Sequence, residues 1–283
     1  MQPIEGSPFA VRRMKRSVVL TALVLSLLLA IAFNAFLFGS GAVVAVIDGT
    51  GGWVSGTLLA NVVLLVVVVY GVLGRAGGAS ASDLGLQRQN VIPAVVVTIA
   101  IWLVLNAAQA IVSLAIGDAV SVSSYFVEQW RPRTAELLGQ LFGNALFEEV
   151  LFRAVLLAQL ALWLTPLDRE PGRREVVLAT VWSQVWFALQ HVPNRLSFDA
   201  WQGVTAAVGD LSLLWFSGVC FSLLWLRTRN LLVAVGYHAL GNCPFLVLVG
   251  PGWVHPVTMF VVLVVLIAFG PRWRWIWGGP RHS

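Results

Sequence analysis

The chain has 283 residues, of which 58% are hydrophobic and only 11% are charged. A soluble domain carries about 25% charged residues, so this composition excludes a soluble globular protein and predicts an integral membrane protein. The net charge of +5 does not indicate nucleic-acid binding, because the basic residues lie in short loops between apolar runs, where they set orientation in the lipid bilayer.

The apolar runs predict an all-α fold, a polytopic membrane helix bundle with about eight transmembrane helices. A helix needs about 20 apolar residues to cross a bilayer, and eight runs approach or exceed that length. The predicted spans are residues 17–38, 57–74, 91–116, 137–164, 175–192, 208–226, 231–249 and 254–270. The first run is longer than the apolar region of a signal peptide, which favours an uncleaved first helix.

The distribution of basic residues predicts that both termini are cytoplasmic. With eight spans and the N-terminus inside, the outer loops hold only Arg131, Arg133 and Arg195. The cytoplasmic segments hold Arg12, Arg13, Lys15, Arg16, Arg75, Arg88, Arg169, Arg173, Arg174, Arg227, Arg229, Arg272, Arg274 and Arg281. This asymmetry is the one that membrane proteins show between their two sides.

The fourth predicted span carries three ionisable groups near its middle, in the stretch LFGNALFEEVLFRAVLLAQL. On an α-helix, Glu149 and Arg153 are four residues apart and can pair, whereas Glu148 points about 100° away, on the side of Asn144. Each ionisable group in a span costs about 2.5–3.5 kcal/mol on insertion scales, so such groups usually face the bundle interior and indicate function. The alternative is a buried polar clamp between helices.

Two later spans each place a histidine on one helix face with a partner four residues away. Phe187 and His191 form the pair on the fifth span, and His238 and Asn242 form the pair on the seventh. A single histidine or asparagine in a span often makes only an interhelical hydrogen bond. A glutamate, two histidines and an asparagine on three helices also supply the base and donors that amide hydrolysis by activated water requires.

The heights of the two histidines conflict if both spans are full-length helices that start from the cytoplasmic side. His191 would then lie about 24 Å along the fifth span and His238 about 10 Å along the seventh, at 1.5 Å per residue. The two rings would miss each other. Strong tilt, a fifth helix that begins within the bilayer or a funnel-shaped cavity would each bring the rings together.

Three motifs therefore occur in order, each within a predicted span. They are Glu148-Glu149-x-x-x-Arg153, Phe187-x-x-x-His191 and His238-x-x-x-Asn242. The set resembles that of the CPBP or Abi family, the type II CAAX-protease-like and bacteriocin-processing intramembrane proteases. The resemblance covers about residues 83–249, as a catalytic helix bundle. Residues 1–82 would form an N-terminal region with two transmembrane helices, and residues 250–283 the last helix with a Trp- and Arg-rich tail.

The resemblance implies hydrolysis of a peptide bond in a membrane-embedded or lipidated peptide or protein, at a bacterial plasma membrane. Glu148 would deprotonate the attacking water, which His191 would help to hold. His238 and Asn242 would stabilise the oxyanion. The residues that would shape the site without chemistry are Glu149, Arg153 and Phe187.

Several alternatives stay open. No cofactor is expected, but Glu148, His191 and His238 are also a zinc-ligand set. The absence of an HExxH-like pair and the poor zinc affinity of asparagine favour the metal-independent mechanism. A non-catalytic scaffold could carry the same motifs, whereas a transporter would usually show repeated halves, which this sequence lacks. The other histidines, His255 and His282, are interpreted as interfacial or solvated.

Overall fold

The computed structural model describes residues 9, 11–38, 40–198 and 200–270. Over these residues the chain is helical, and its only β-type pairing is one isolated bridge between Val122 and Leu248. The tail, residues 271–283, lies outside the described residues. The predictions made on it lie there too: the cytoplasmic C-terminus, Arg272, Arg274, Arg281 and His282.

The first four α-helices belong to the first three predicted spans and to one outer loop. They are α1 (Arg16–Ala32), continued by a π-helical segment (Phe33–Leu37), α2 (Gly41–Gly49), α3 (Gly56–Leu64), continued by a π-helical segment (Leu65–Ala76), and α4 (Val91–Ala115), preceded by a 3-10 turn (Arg88–Asn90). The hydroxyl oxygens of Ser40 and Ser55 accept hydrogen bonds from the first turns of α2 and α3. These serines cap the two helices and satisfy backbone donors there.

One continuous helical rod then crosses the molecule. It comprises α5 (Ser124–Gly139), a π-helical segment (Gln140–Asn144), α6 (Ala145–Glu148), a second π-helical segment (Glu149–Leu157) and α7 (Ala158–Leu164). The fourth span was predicted to begin at residue 137, but the helix already begins at Ser124, where Ser123 caps it. A kink at Gln129 precedes Pro132. Much of the predicted outer loop is therefore helical.

The remaining helices follow the rod. They are α8 (Arg173–Gln190), α9 (Val192–Ser197), α10 (Val204–Thr228), α11 (Leu231–Asn242) and α12 (Val254–Phe269). The predicted span 231–249 is wrong in its second part, because α11 ends at Asn242. Pro244 cannot donate a backbone hydrogen bond and disfavours helical geometry at Cys243, whose φ and ψ are −127° and 83°.

Every predicted span contains helix, and four helical stretches of the described chain are long and apolar enough to cross a membrane. They are Arg16–Leu37, Gly56–Ala76, Arg88–Ala115 and Val204–Thr228. Both α11 and α12 are apolar but shorter. The chain is an integral membrane protein, as the composition predicted.

Segments that were predicted on the cytoplasmic side contact one another. The guanidinium of Arg13 donates hydrogen bonds to the carbonyl of Leu162, in the last turn of the rod, and to that of Thr165, just after it. The backbone N–H of Arg12 donates to Asp83 at 2.9 Å, which fixes the N-terminal segment to the loop after the second span. One end of the bundle is therefore assembled from these three segments.

Segments that were predicted outside, or at the outer end of a span, meet at the other end of the bundle. The backbone N–H of Ser123 donates to the carbonyl of Val247 at 2.9 Å. The rings of Trp53 and Trp130 meet edge to face with their centroids 5.2 Å apart. Between the two ends, all nine residues of the segment Glu149–Leu157 are buried, so the rod forms the centre of the bundle.

Candidate active site

The rod supplies a buried ion pair at the middle of the bundle. Glu149 and Arg153 are both 0% exposed, and Nη1 of Arg153 lies 3.3 Å from Oε1 of Glu149. The pairing predicted from their four-residue spacing is present. Because the pair is isolated from water, each charge depends on the other and on neighbouring dipoles.

Aromatic rings from two other helices enclose the arginine. The guanidinium carbon of Arg153 lies 4.4 Å from the ring centroid of Phe187 and 5.3 Å from that of Phe221. Its Nη2 is 3.4 Å from the carbonyl oxygen of Gly218. The sequence predicted a packing role for Phe187 next to His191, and the structure adds this cation–π contact. The roles of Phe221 and Gly218 were missed, although both lie in the run FSGVCF of α10.

His238 of α11 links the two glutamates. Its Nδ1 lies 2.8 Å from Oε1 of Glu149, and its Nε2 lies 3.6 Å from Oε2 of Glu148. A carboxylate paired with arginine accepts hydrogen bonds, so Nδ1 is the donor and Nε2 is directed toward Glu148. The ring is buried and lies against Phe221, with centroids 4.6 Å apart.

His191 approaches Glu148 from the C-terminal end of α8. The residue immediately follows α8, and its Nδ1 donates to the carbonyl of Phe187 at 2.8 Å. Its Nε2 lies 3.8 Å from Oε1 of Glu148. The two histidines therefore meet at one carboxylate, and the conflict in their heights does not arise. Because α11 has only twelve residues, a full-length seventh span was the wrong premise.

The catalytic candidates line one cavity of about 840 Å³. Glu148, His191, His238 and Asn242 all contribute to its wall, which also includes other residues of the rod, α8 and α11 and residues of α1, α3, α9, α10 and α12. Asn242 lies one turn beyond His238 on α11. Its side-chain amide donates to Oε1 of Gln140 at 3.1 Å and makes no hydrogen bond to Glu148 or His238.

Comparison with known proteins identifies the part of the chain that contains these residues. Residues 129–244 match the family model described as type II CAAX prenyl endopeptidase Rce1-like. The chain carries an Rce1-like domain. The match confirms the predicted CPBP/Abi relationship, contains every motif residue and lies within the region 83–249. No curated protein and no solved structure matches the chain.

The Rce1-like domain also contains a row of polar contacts that the sequence analysis missed. The side-chain amide of Gln140 donates to Glu136 at 3.0 Å, and the hydroxyl of Thr57 donates to the same carboxylate at 3.0 Å. Asn144 donates to Gln140 at 3.3 Å. The sequence signal was the spacing of 136, 140 and 144, four residues apart on one face of the rod.

A zinc-dependent version of the protease would use three of the residues described above as ligands. Glu148, His191 and His238 converge, but no group of three or more His, Cys, Asp or Glu side chains in the described part of the chain is spaced to hold a metal ion.

Proposed function

We propose that the protein is an intramembrane endopeptidase that hydrolyses a peptide bond in a membrane-borne or lipidated peptide or protein. The observation that carries this proposal is the buried carboxylate of Glu148, which two imidazole nitrogens face at 3.6 and 3.8 Å on the wall of an 840 Å³ cavity. The match to an endopeptidase family supports it.

The two histidines are held in orientations that suit water activation. Both Nδ1 atoms donate to fixed acceptors, so Nε2 of a neutral His191 ring carries a lone pair directed at Glu148, whereas Nε2 of a doubly protonated His238 ring carries a proton. The separations of 3.6 and 3.8 Å are too long for direct hydrogen bonds and suit bridging by a water molecule. Such a water would donate one proton to Glu148 and the other to His191.

The proposed reaction follows from these contacts. The water oxygen attacks the carbonyl carbon while Glu148 accepts a proton, and the carbonyl oxygen becomes an oxyanion. Doubly protonated His238 can donate from Nε2 to this oxyanion, with Glu149 accepting from Nδ1. Asn242 has two N–H groups, of which one bonds Gln140 and one remains for the oxyanion. Glu148 then returns its proton to the leaving amine as the C–N bond breaks.

We propose that the reaction is metal-independent. The spacing of the three candidate ligands supports this version, and a zinc-dependent version of the same protease is the alternative. Metal analysis of purified protein tests it, together with activity before and after a chelator. One zinc per chain, with activity lost to the chelator and restored by zinc, would reverse the proposal.

We propose eight spans with both termini in the cytoplasm of a bacterium, whose plasma membrane holds the protein. The contacts at each end of the bundle support this topology, since Arg13 reaches Thr165 at one end and Ser123 pairs with Val247 at the other. Single cysteines labelled from outside intact cells test it. Labelling at residue 53 but not at residue 80 is expected, and the reverse result would contradict the topology.

Cleavage of a lipidated peptide by the purified protein in nanodiscs tests the proposed function. A farnesylated peptide that ends in Cys-Val-Ile-Met is a suitable substrate, because prenylation marks such C-termini. Glu148→Gln should lower the rate by about 10²- to 10⁴-fold, the usual contribution of a general base. Glu128→Gln, an exposed change on the same rod, is the control. A non-catalytic scaffold would be indicated by a wild type that cleaves no faster than Glu148→Gln.

A further inference from the structure

The side chain of Asn242 is held by a single hydrogen bond. Asn242 is exposed and lines the active-site cavity, and its Nδ2 donates to Oε1 of Gln140 at 3.1 Å. Its side chain makes no other hydrogen bond to the described residues. His255, which was expected to be interfacial or solvated, is half-buried on the wall of the same cavity, but it makes no hydrogen bond to Asn242. The orientation of the Asn242 amide therefore depends on Gln140.

An acidic residue fixes the orientation of Gln140 itself. Gln140 is buried, and its Nε2 donates at 3.0 Å to Oε1 of Glu136, one turn earlier on the rod. A carboxylate only accepts hydrogen bonds, so the amide nitrogen of Gln140 faces Glu136 and the amide oxygen faces away from it. The reversed amide would place two acceptors against each other without a proton between them, which is unfavourable. Oε1 of Gln140 is therefore an acceptor for the residues beyond it.

The acceptor at Gln140 in turn determines which end of the Asn242 amide faces it. Only the NH₂ end of Asn242 can donate to this oxygen, and that nitrogen keeps a second N–H group. Asn144, one turn further along the rod, donates to the same oxygen at 3.3 Å and so requires the same orientation of Gln140. The order of donors and acceptors is therefore fixed from Glu136 to Asn242.

A residue outside the matched region 129–244 completes the row. The hydroxyl of Thr57, in α3, donates to the same oxygen of Glu136 at 3.0 Å. The rod and α3 approach each other closely here, since a methyl group added at Gly143 would lie 3.0 Å from Cβ of Asn61. The N-terminal part of the chain thus contributes to the polar row.

We infer that Glu136 and Gln140 are positioning residues that orient Asn242 for stabilisation of the oxyanion. This inference rests on the proposed function, in which the second N–H group of Asn242 donates to the oxyanion. Both residues act through another side chain, since Glu136 selects the orientation of Gln140 and Gln140 holds that of Asn242. A donor that is already oriented stabilises the developing charge most, because it does not have to rotate during the reaction.

A double-mutant cycle tests this role with the full chain in nanodiscs and the farnesylated peptide. Gln140→Leu should lower kcat about 10- to 10²-fold and leave KM within about twofold, because loss of a whole oxyanion donor costs about 10²–10³ in kcat. In the Asn242→Ala background the same substitution should have no further effect, since it acts through Asn242. Gln129→Leu, the same change at an exposed position of the same helix, is the control and should keep the wild-type kcat.

Exchange of the two side chains provides a rescue. In the double variant Glu136→Gln, Gln140→Glu, the amide introduced at 136 donates to the carboxylate introduced at 140, which still accepts from Asn242. The kcat should recover to within about threefold of the wild type, because the order of donors and acceptors is kept. An exchange variant as slow as Gln140→Leu, or a further loss from Gln140→Leu in the Asn242→Ala background, would overturn the inference.

A measurement without turnover separates the inference from the proposed function. In nuclear magnetic resonance spectra of the full chain, isotope-labelled on the asparagine side-chain nitrogens, the amide signals that Asn242→Ala removes belong to Asn242. The proton bonded to Gln140 should be shifted to higher frequency in the wild type and in the exchange variant, and Gln140→Leu should remove this shift. A signal unchanged by Gln140→Leu would overturn the inference. The expected shifts in a protein that cleaves nothing would support the orientation of Asn242 by Gln140 and contradict the endopeptidase function.

Discussion

Nδ1 of His238 lies 2.8 Å from Oε1 of Glu149, the same carboxylate oxygen that Nη1 of Arg153 approaches at 3.3 Å. One buried carboxylate therefore fixes a histidine from α11 and an arginine from its own helix. Glu148, its neighbour in sequence, lies instead on the cavity wall. The two adjacent glutamates therefore have different surroundings, since Glu149 is enclosed by its ion pair and Glu148 faces the cavity.

Glu149→Gln should destabilise the protein severely, whereas Glu148→Gln should not. Removal of the charge at 149 leaves Arg153 buried without its counter-ion, which costs about 3–5 kcal/mol. Glu148 makes no direct hydrogen bond to the described residues, and its amide analogue keeps the same shape. Unfolding in detergent with increasing SDS compares the two variants. Equal unfolding midpoints for both would show that the ion pair does not stabilise the site.

Gly218→Ala should destabilise the packing around the arginine. A methyl group at this position would collide with the side chain of the fully buried Gln184 and lie 3.0 Å from Phe187. Overpacking of this kind costs about 1–3 kcal/mol. Gly209→Ala is the matched control on the same helix, because nothing lies within 4 Å of its added methyl. Thermal unfolding of both variants checks the difference, and a Gly218→Ala protein as stable as the control would contradict the packing described.

Phe187→Leu should lower the stability of the protein and loosen the packing of Arg153 and His191. The substitution removes a ring 4.4 Å from the guanidinium of Arg153 and 4.8 Å from the ring of His191. Loss of a buried cation–π contact costs about 2 kcal/mol. The cleavage rate should fall as well, because His191 loses one of its packing neighbours. Phe142→Leu, at an exposed position of the rod, should leave both quantities unchanged; a similar loss in the two variants would mean that the ring at 187 has no special role.

Protonation of Asp83 at acid pH should weaken the attachment of the N-terminal segment to the loop after the second span. Partial burial acts to raise the pKa of this carboxyl, but hydrogen bonds from Ser80 and from the backbone N–H of Arg12 outweigh it, so the pKa lies below its ordinary value of 3.8. The folded state therefore favours the carboxylate. The resulting stability is complete above pH 3.8 and is lost as the pH falls through the lower folded-state pKa.

Asp83→Asn should remove that part of the pH dependence of the unfolding midpoint, measured between about pH 5 and pH 2.5. Asp118→Asn, whose side chain makes no hydrogen bond among the described residues, is the control and should behave as the wild type does. A wild type whose midpoint does not fall faster than that of Asp83→Asn would contradict the assigned role.

Hydropathy located the helices because lipid-facing surfaces demand continuous apolar runs, and the spacing of 149 and 153 was enough to predict their ion pair. The end of α11 was missed because hydropathy continues through Phe245 to Val249 after the backbone has left the helix. The two π-helical segments of the rod have no pattern of their own in the sequence. The contacts of Phe221 and Thr57 depend on which helices become neighbours, which local spacing does not determine.

The most direct test of the account compares new protein N-termini in membranes of the native host that carry either the wild type or Glu148→Gln at matched expression. We expect at least one N-terminus to be present with the wild type and absent with the variant, since Glu148 is proposed to activate the water that cleaves the substrate. Identical sets of N-termini, in cells that keep the wild-type phenotype, would contradict proteolysis and indicate a non-catalytic scaffold.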